Sequence, residues 1–238
     1  MKKLLKKLAL LPLFCGLVLT SGCSDNNNET GEKLPSRISF GDEVFTFSYD
    51  SQNRITRIGS VLGESAFITE IIYNTNGSVA KFVGENETTI NVSFSGDTVT
   101  IEGQSQFTIN SRGQMVRFWG IYDFYTMNEL DFTYDASGNL TQMLVTSFDG
   151  EQRRNAIEYS PTTRAVFRNT TTPEWFLQLM LINHMPAGFK HGFMPVRVVS
   201  TSDSFQGVTT ITYTVENGWV QTVTENTRTW HFEYVNAR

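Results

Sequence analysis

A short turn sequence recurs between segments of alternating apolar and polar residues along most of this 238-residue chain. Its clearest copies are Tyr49 to Asn53, Tyr73 to Gly77 and Tyr134 to Gly138. In each copy an aromatic residue is followed by four turn residues, and the last is Gly or Asn, the types that tolerate positive φ in a tight hairpin. This repetition predicts an antiparallel meander.

The same turn frame is found at four further places in looser form. These are Ile109 to Gly113, Tyr213 to Asn217, a shorter copy at Phe94 to Thr98 and a degenerate copy at Tyr159 to Thr163. Thr163 and Asn53 depart from Gly at the turn, so the local geometry is expected to vary there. Seven hairpins and a last strand predict about fifteen strands.

The strands have one apolar face. Phe45, Phe47 and Tyr49 alternate with Thr46 and Ser48, and a period of two places the aromatic rings on a single face of a sheet. An open meander of this length would expose both edges and its apolar face. We therefore predict an all-β antiparallel barrel with the apolar face inward, the alternative being a membrane barrel with that face toward lipid.

One segment breaks the β pattern and is predicted to form a helix from Pro173 to about His184. Thr172 is suited to cap it, Pro173 to begin its first turn, and straight-chain apolar residues follow. Its polar residues Glu174, Gln178 and Asn183 only interrupt an otherwise apolar surface. Such a helix must be covered, so we expect it to plug or cap the barrel.

The N-terminus has the order of a secretory signal. Four lysines precede an apolar run from Leu8 to Leu19, and Ser21 and Gly22 stand directly before Cys23. The segment resembles a bacterial lipoprotein signal, which implies that cleavage leaves Cys23 carrying acyl chains such as palmitate. The predicted organisation is a signal peptide over 1–22, a lipidated N-terminus and flexible tether over 23–36, and a barrel domain with its helix over 37–238.

The charge of the mature chain restricts the partners that it can bind. Removal of residues 1–22 takes away four of the 19 basic residues and none of the 24 acidic ones, so the formal charge is 15 − 24 = −9. An acidic domain without a basic stripe argues against nucleic acid as a partner. Both cysteines, Cys15 and Cys23, lie in the signal region, so no disulfide is available to the domain.

The turn residues resemble two known groups of proteins. The stretch Tyr134-Asp135-Ala136-Ser137-Gly138-Asn139-Leu140 resembles the YD repeat of large β-shell proteins. The signal, the repeat spacing and the apolar helix together are similar to an uncharacterised family of Bacteroides-type lipoproteins with a porin-like fold. That resemblance implies a lipid-anchored barrel and carries over no active site. Ser24, not Asp, follows Cys23, which resembles lipoproteins released to the outer membrane, so we expect the barrel there, periplasmic or surface-exposed.

An aromatic cluster is the candidate ligand-binding site. Trp119, Tyr122 and Tyr125 lie close together with Asp123, and they keep no clean alternation, so some rings are expected to face solvent. Flat rings beside a carboxylate are suited to stack on a glycan and bind its hydroxyls. The alternative is a bulge at Gly120 that returns the rings to the core.

Enzymatic and metal sites are weakly supported. His184 and His191 flank a break after the helix, but no Cys or acid lies near them at zinc-ligand spacing. Glu85 and Glu87 could flank a glycosidic bond, although solvated acids beside a turn are far commoner. We predict no catalytic residue, no metal and no cofactor.

Two functions follow from this sequence. The first is a non-enzymatic outer-membrane lipoprotein that binds a glycan or an envelope protein and attaches to the membrane by its lipid. The alternative is a carrier of a small apolar ligand, held in a barrel that one helix fills incompletely.

Overall fold

The computed structural model describes residues 31–63, 65–123, 126–181 and 193–238. In this part of the chain there are sixteen strands and one helix. They are β1 (Lys33–Phe40), β2 (Glu43–Tyr49), β3 (Ile55–Leu62), β4 (Ser65–Tyr73), β5 (Val79–Gly84), β6 (Thr89–Ser95), β7 (Thr98–Ile101), β8 (Ser105–Ile109), β9 (Met115–Asp123), β10 (Thr126–Tyr134), β11 (Leu140–Thr146), β12 (Gln152–Arg164), α1 (Glu174–Leu181), β13 (Phe193–Thr201), β14 (Gln206–Glu216), β15 (Trp219–Glu225) and β16 (Arg228–Asn236).

The strands form a closed barrel. Each strand pairs antiparallel with the next along the chain, and β1 pairs with β16, for example through Ile38 and Phe232. The predicted barrel is confirmed, but it has sixteen strands rather than about fifteen. The strand count was based on the turn repeats, and the first repeat joins β2 and β3. Strand β1 precedes that hairpin, so it was not counted. It begins at Lys33, inside the range 23–36 predicted as tether, and its Leu34 is buried.

The predicted hairpin geometry is confirmed at the clearest repeats. Asn53, Gly77 and Gly138 have φ of 60°, 84° and 88°. In the first hairpin the Asp50 amide donates to the Arg54 carbonyl over 3.0 Å, and the Asn53 amide donates to the Asp50 carbonyl over 3.0 Å. Each of these turns also shifts the strand register by one residue beside the tyrosine. The turn residues therefore set both the hairpin and its bulge.

Two of the looser repeats were wrong as turn predictions. Strand β14 continues through Tyr213 to Glu216, and the loop consists of Asn217 and Gly218 with φ of 51° and 80°. An Asn-Gly pair can form this two-residue loop alone, so no longer frame is needed. Around Tyr159 no turn forms, because β12 runs on to Arg164. Thr163 lacks the freedom of Gly, and the strand pairs onward with Phe193.

The inner face of the barrel is apolar, as the alternation predicts. Ile38, Phe47, Phe107, Leu130 and Phe232 are each less than a tenth exposed and belong to one hydrophobic cluster. The outer face carries charged cross-strand pairs. The part of the chain that is described has no helix long and apolar enough to span a bilayer.

The barrel has two distinct ends because the meander is strictly antiparallel. The turns after even-numbered strands lie at one end, together with the chain ends of β1 and β16, where Lys33 pairs with Asn236. We call this the plug end. The turns after odd-numbered strands lie at the other end, which we call the rim.

Residues 165–181, which we call the plug, close the plug end. Phe167 is fully buried and packs edge-on against Phe47 of β2, with ring centroids 5.5 Å apart. The Thr170 hydroxyl donates to the Asn53 carbonyl over 2.8 Å, and the Thr172 hydroxyl accepts from the Ile55 amide over 2.8 Å. The plug is thus fixed to the β2–β3 turn before the helix begins.

Helix α1 differs from its prediction in two respects. It begins at Glu174, the predicted extension toward His184 lies outside the described residues, and the Pro173 carbonyl accepts from the Phe176 amide over 3.2 Å. The helix is also not simply apolar. Glu174 and Gln178 are 2% and 1% exposed, so these polar side chains point into the protein. They are buried because the barrel wall supplies hydrogen-bond partners, Gln114 for Glu174 and Met115 and Tyr134 for Gln178, which no local pattern could reveal.

Candidate functional site

A cavity of about 470 Å³ lies between α1 and one side of the barrel wall. Most of its lining is apolar. The wall contributes Phe82, Ile90, Ile101 and Phe118, and the helix contributes Phe176, Leu179 and Met180. The predicted carrier function requires space beside the helix, and this cavity lies next to α1.

The polar part of the lining lies toward the rim. Gln104 belongs to the β7–β8 turn, Ser105 begins β8, and Thr69 lies on β4. Phe67 shares the inward face of β4 with Thr69, since both lie an even number of residues from buried Ile71, and it is 54% exposed. An exposed inward-facing ring beside the cavity extends its apolar surface to the rim. The mouth therefore combines apolar rings with a few polar groups.

Aromatic contacts close the cavity toward the plug end. Phe176 stacks on Phe82 with centroids 5.5 Å apart, and Trp175 packs against Phe107 at 5.2 Å. Trp175 also meets Phe94 edge-on at 6.3 Å. The contacts tie α1 to strands β5, β6 and β8, so the cavity has a fixed floor, and its lining extends to the β7–β8 turn at the rim.

A buried hydrogen-bond network holds α1 in place. The Gln178 carbonyl oxygen accepts from the Met115 amide over 2.8 Å, and the Gln178 amide donates to the Tyr134 hydroxyl over 2.7 Å. Tyr134 in turn donates to the Met115 carbonyl over 2.5 Å. One glutamine thus connects the helix to β9 and β10, and it satisfies the groups it buries.

Among the described side chains, Tyr134 is one of five tyrosines with the same role. Each lies in an even-numbered strand near the plug end and donates to a carbonyl of the preceding odd-numbered strand. The pairs are Tyr49 with Pro35, Tyr73 with Ile55, Tyr134 with Met115, Tyr159 with Leu140 and Tyr234 with Val220, at 2.5 to 2.9 Å. We call these residues the tyrosine ring. The aromatic residue of the turn repeat therefore links two strands, a function that spacing alone did not indicate.

Burial raises the pKa of every hydroxyl in the tyrosine ring, because the charged phenolate would lose its hydration. For Tyr73 the pKa is raised to about 12. The pKa of the Asp50 carboxyl, in the β2–β3 turn, is instead lowered. Burial acts to raise the pKa of its carboxyl, but hydrogen bonds from the Arg54 amide and guanidinium outweigh it and hold the pKa below its ordinary value.

The structure places Trp119, the one residue of the predicted aromatic site whose side chain is described, outside the cavity. Trp119 lies on the outer face of β9, since its neighbour Phe118 points inward, and it is 37% exposed. The Arg117 guanidinium lies 5.1 Å from the centre of its ring and pairs with Glu129. The Arg117 guanidinium therefore covers part of the Trp119 ring.

The other residues of that prediction are only partly placed. Tyr122 and Asp123 belong to β9, but their side chains are not among those described, and Tyr125 and Cys23 lie outside the described residues. The register shift is opposite Thr126 and Met127, at Tyr122, whereas Gly120 pairs regularly with Asn128. The alternative of a bulge at Gly120 was therefore wrong in position.

The candidate acids and histidines are not brought together among the described residues. Glu85 and Glu87 are exposed in the β5–β6 turn, where Glu87 has φ of 59°. His231 lies exposed on β16, and His184 and His191 are outside the described residues. Across the described ranges, no group of three or more His, Cys, Asp or Glu residues is placed to hold a metal ion.

Comparison with known proteins finds similarity only to solved structures. No protein-family model matches the chain, and no curated protein matches it. A porin-like protein from Bacteroides vulgatus is 11% identical with a TM-score of 0.45, over 85% of this chain and 99% of that one. A porin-like protein from Bacteroides uniformis is 15% identical with a TM-score of 0.41, over 84% and 98%. The barrel assignment itself depends on the strand pairing described above.

Proposed function

We propose that this protein is a non-enzymatic envelope lipoprotein whose barrel holds a small apolar ligand beside α1. The cavity is the observation that carries the proposal. Its volume of about 470 Å³ lies in the range of roughly 300–1,000 Å³ typical of ligand pockets, and its lining combines apolar side chains with a few polar groups. Closure at the plug end favours a binding cup over a channel.

Charged pairs on the outer wall favour a barrel that faces water. Arg37 of β1 pairs with Glu233 of β16 at 2.7 Å, and Arg197 of β13 pairs with Glu158 of β12 at 2.5 Å. These residues lie within strands, where a lipid-facing arginine would cost about 2–4 kcal/mol near the bilayer centre. We therefore propose that the barrel stands beside the outer membrane and is attached to it by lipid on Cys23.

Occupancy of the cavity can be tested by blocking it. Thr69→Trp places a large ring in the cavity, while Glu70→Trp adds the same ring to the outer face of the same strand. We expect Thr69→Trp to weaken binding of the neutral fluorescent probe N-phenyl-1-naphthylamine at least tenfold and Glu70→Trp to leave it unchanged. Equal binding by both variants would contradict the proposal, as would failure of the parent protein to bind the probe. Native mass spectrometry of the purified protein should also detect a bound apolar molecule.

The membrane attachment is tested separately. Cys23→Ala removes the only acceptor for the acyl chains at the predicted cleavage site, and Cys15→Ala is the matched control within the apolar signal. We expect Cys23→Ala to move the protein from the membrane fraction to the soluble fraction and Cys15→Ala to leave it in the membrane fraction. Recovery of both variants with membranes would refute the anchor.

A second candidate function is binding of a glycan or an envelope protein by Trp119, Tyr122, Asp123 and Tyr125. The outward position of Trp119 favours it, because an exposed indole can stack on a sugar. Trp119→Ala should then abolish retention on immobilised glycans while leaving probe binding in the cavity unchanged. A variant that binds glycans like the parent would exclude this surface.

A further inference from the structure

The polar part of the cavity lining is electrically neutral. Eight of the eleven lining residues are apolar or glycine, and the other three are Thr69, Gln104 and Ser105. Thr69 lies on the inward face of β4 with buried Ile71, and Ser105 on the inward face of β8 with buried Phe107. Two hydroxyl groups and one amide are therefore what the described lining offers to a polar group of a ligand.

These three side chains have unused hydrogen-bonding capacity. In the part of the chain that the structure describes, neither hydroxyl and no atom of the Gln104 side chain is hydrogen-bonded to the protein; at Gln104 it is the backbone amide that donates, to the Ile101 carbonyl over 3.0 Å. The buried amide of Gln178 on α1 is different, because Met115 and Tyr134 already occupy it. A polar ligand group at the rim side of the cavity can therefore pair with groups that the fold leaves available.

The charged residues beside the lining positions point away from the cavity. Those next in sequence to a lining residue within strands β4, β5 and β9 are Glu70, Lys81 and Arg117. Each alternates with an inward-facing neighbour and so lies on the outer face. Glu102, next to the lining residue Ile101, accepts from the Asn91 side-chain amide over 2.6 Å, and Asn91 lies on the outer face of β6 because Val92 points inward. The barrel thus keeps these charges off the cavity surface.

We infer that the cavity selects a neutral amphiphile, an apolar molecule that carries one uncharged hydrogen-bonding headgroup such as an alcohol. This inference rests on the proposed function, because it concerns the ligand of the same cavity. The apolar part packs among Phe82, Phe118 and Phe176, and the headgroup pairs with Thr69 or Ser105. A hydroxyl exchanges its hydrogen bonds with water for hydrogen bonds with these side chains. A charged headgroup of either sign loses part of its hydration there, and no opposite charge in the lining compensates for the loss.

The test compares three amphiphiles with the same ten-carbon chain: decanol, decanoate and decyltrimethylammonium. A cavity of about 470 Å³ holds about 15 groups of water size at roughly 30 Å³ each, so one such chain with its headgroup fits. Each compound competes with N-phenyl-1-naphthylamine for the full-length protein, below the concentration at which micelles form. We expect decanol to bind more tightly than either ion by a factor on the order of 10. The preference should persist in high salt, because it arises from lost hydration and not from exposed charges that salt screens.

Two double variants separate the hydroxyls of the cavity from hydroxyls elsewhere on the same wall. The first is Thr69→Val with Ser105→Ala, which removes both hydroxyls from the lining. The control is Thr108→Val with Ser93→Ala, which removes the same groups from the outer faces of β8 and β6. We expect the first variant to reduce the ratio of decanol affinity to the affinity of each ion at least threefold, since decanol loses a hydrogen bond. The control should leave this ratio unchanged.

The outcomes distinguish this inference from the proposed function. The headgroup inference is overturned, and the cavity remains a ligand site, if either ion binds as tightly as decanol. It is also overturned if the cavity variant weakens all three compounds equally, or if the control lowers the ratio as much as the cavity variant does. If none of the three compounds displaces the probe, the proposed function falls and the headgroup inference falls with it.

Discussion

Single residues of the turn repeat connect local conformation to the plug. Asn53 stands where other copies have Gly, yet it keeps the turn at φ of 60°. Its side-chain oxygen accepts from the Arg238 amide over 2.9 Å, and its carbonyl accepts from Thr170. Asn tolerates this conformation, and its side chain adds the contact with Arg238, which Gly cannot make. The departure from Gly therefore has a structural reason, which lies in residues more than a hundred positions away.

At the residue scale, removal of one hydroxyl from the tyrosine ring should lower the free energy of unfolding. Tyr134→Phe leaves the buried Gln178 amide and the Met115 carbonyl without the hydroxyl that joins them. We expect the free energy of unfolding to fall by about 1–3 kcal/mol, as for other buried groups that lose a partner. Urea unfolding followed by circular dichroism measures it.

The matched control is Tyr213→Phe. Tyr213 is partly buried on β14 but takes no part in the tyrosine ring. Its substitution should change the free energy of unfolding by less than about 0.5 kcal/mol. Equal losses in the two variants would show that the hydroxyl network does not stabilise the barrel.

At the scale of elements, α1 has two different sides. Leu177 is 1% exposed in the core, whereas Leu179 is only partly buried and lines the cavity. The buried polar residues Glu174 and Gln178 fix the rotation of the helix against the wall. The helix therefore contributes both to the core and to the proposed binding site, and these contributions can be separated by substitution.

Leu177→Ala should lower the free energy of unfolding by about 2–5 kcal/mol, because it leaves a void in a packed core. Leu179→Ala enlarges an existing cavity and should cost less, about 1 kcal/mol, while changing the affinity for N-phenyl-1-naphthylamine. Urea unfolding and probe titration on both variants provide the two measurements. A larger stability loss for Leu179→Ala than for Leu177→Ala would mean that the helix is rotated from the position described.

At the scale of the whole molecule, the tyrosine ring joins β1, β3, β9, β11 and β15 to their neighbours around the plug end. Because burial raises the pKa of each of these tyrosines, the folded protein keeps protons that the unfolded chain loses above about pH 10. The ring therefore contributes its full stability below about pH 10 and loses it as the pH rises through the folded values.

We expect the barrel to unfold cooperatively as the pH rises above about 10, with tyrosinate absorbance and loss of β-sheet signal appearing together. Each ring tyrosine should lower the free energy of unfolding by about 1.4 kcal/mol per pH unit in this window. In the double variant Tyr73→Phe and Tyr134→Phe, the free energy of unfolding should fall less steeply with pH, by about 3 kcal/mol per pH unit. Full ionisation of the tyrosines while the sheet remains intact would contradict this account.

The local sequence determined the turns, the period of two and hence the meander with one apolar face, because turn chemistry and alternation act between residues close in the chain. Closure could be argued from the unpaired edges, but β1 was missed because no turn repeat precedes it. Only the tertiary structure decided which polar residues of α1 are buried, which strands its rings meet, and that a cavity remains beside it. Those features depend on how seventeen plug residues fit a wall of sixteen strands, and such packing joins positions far apart in the sequence.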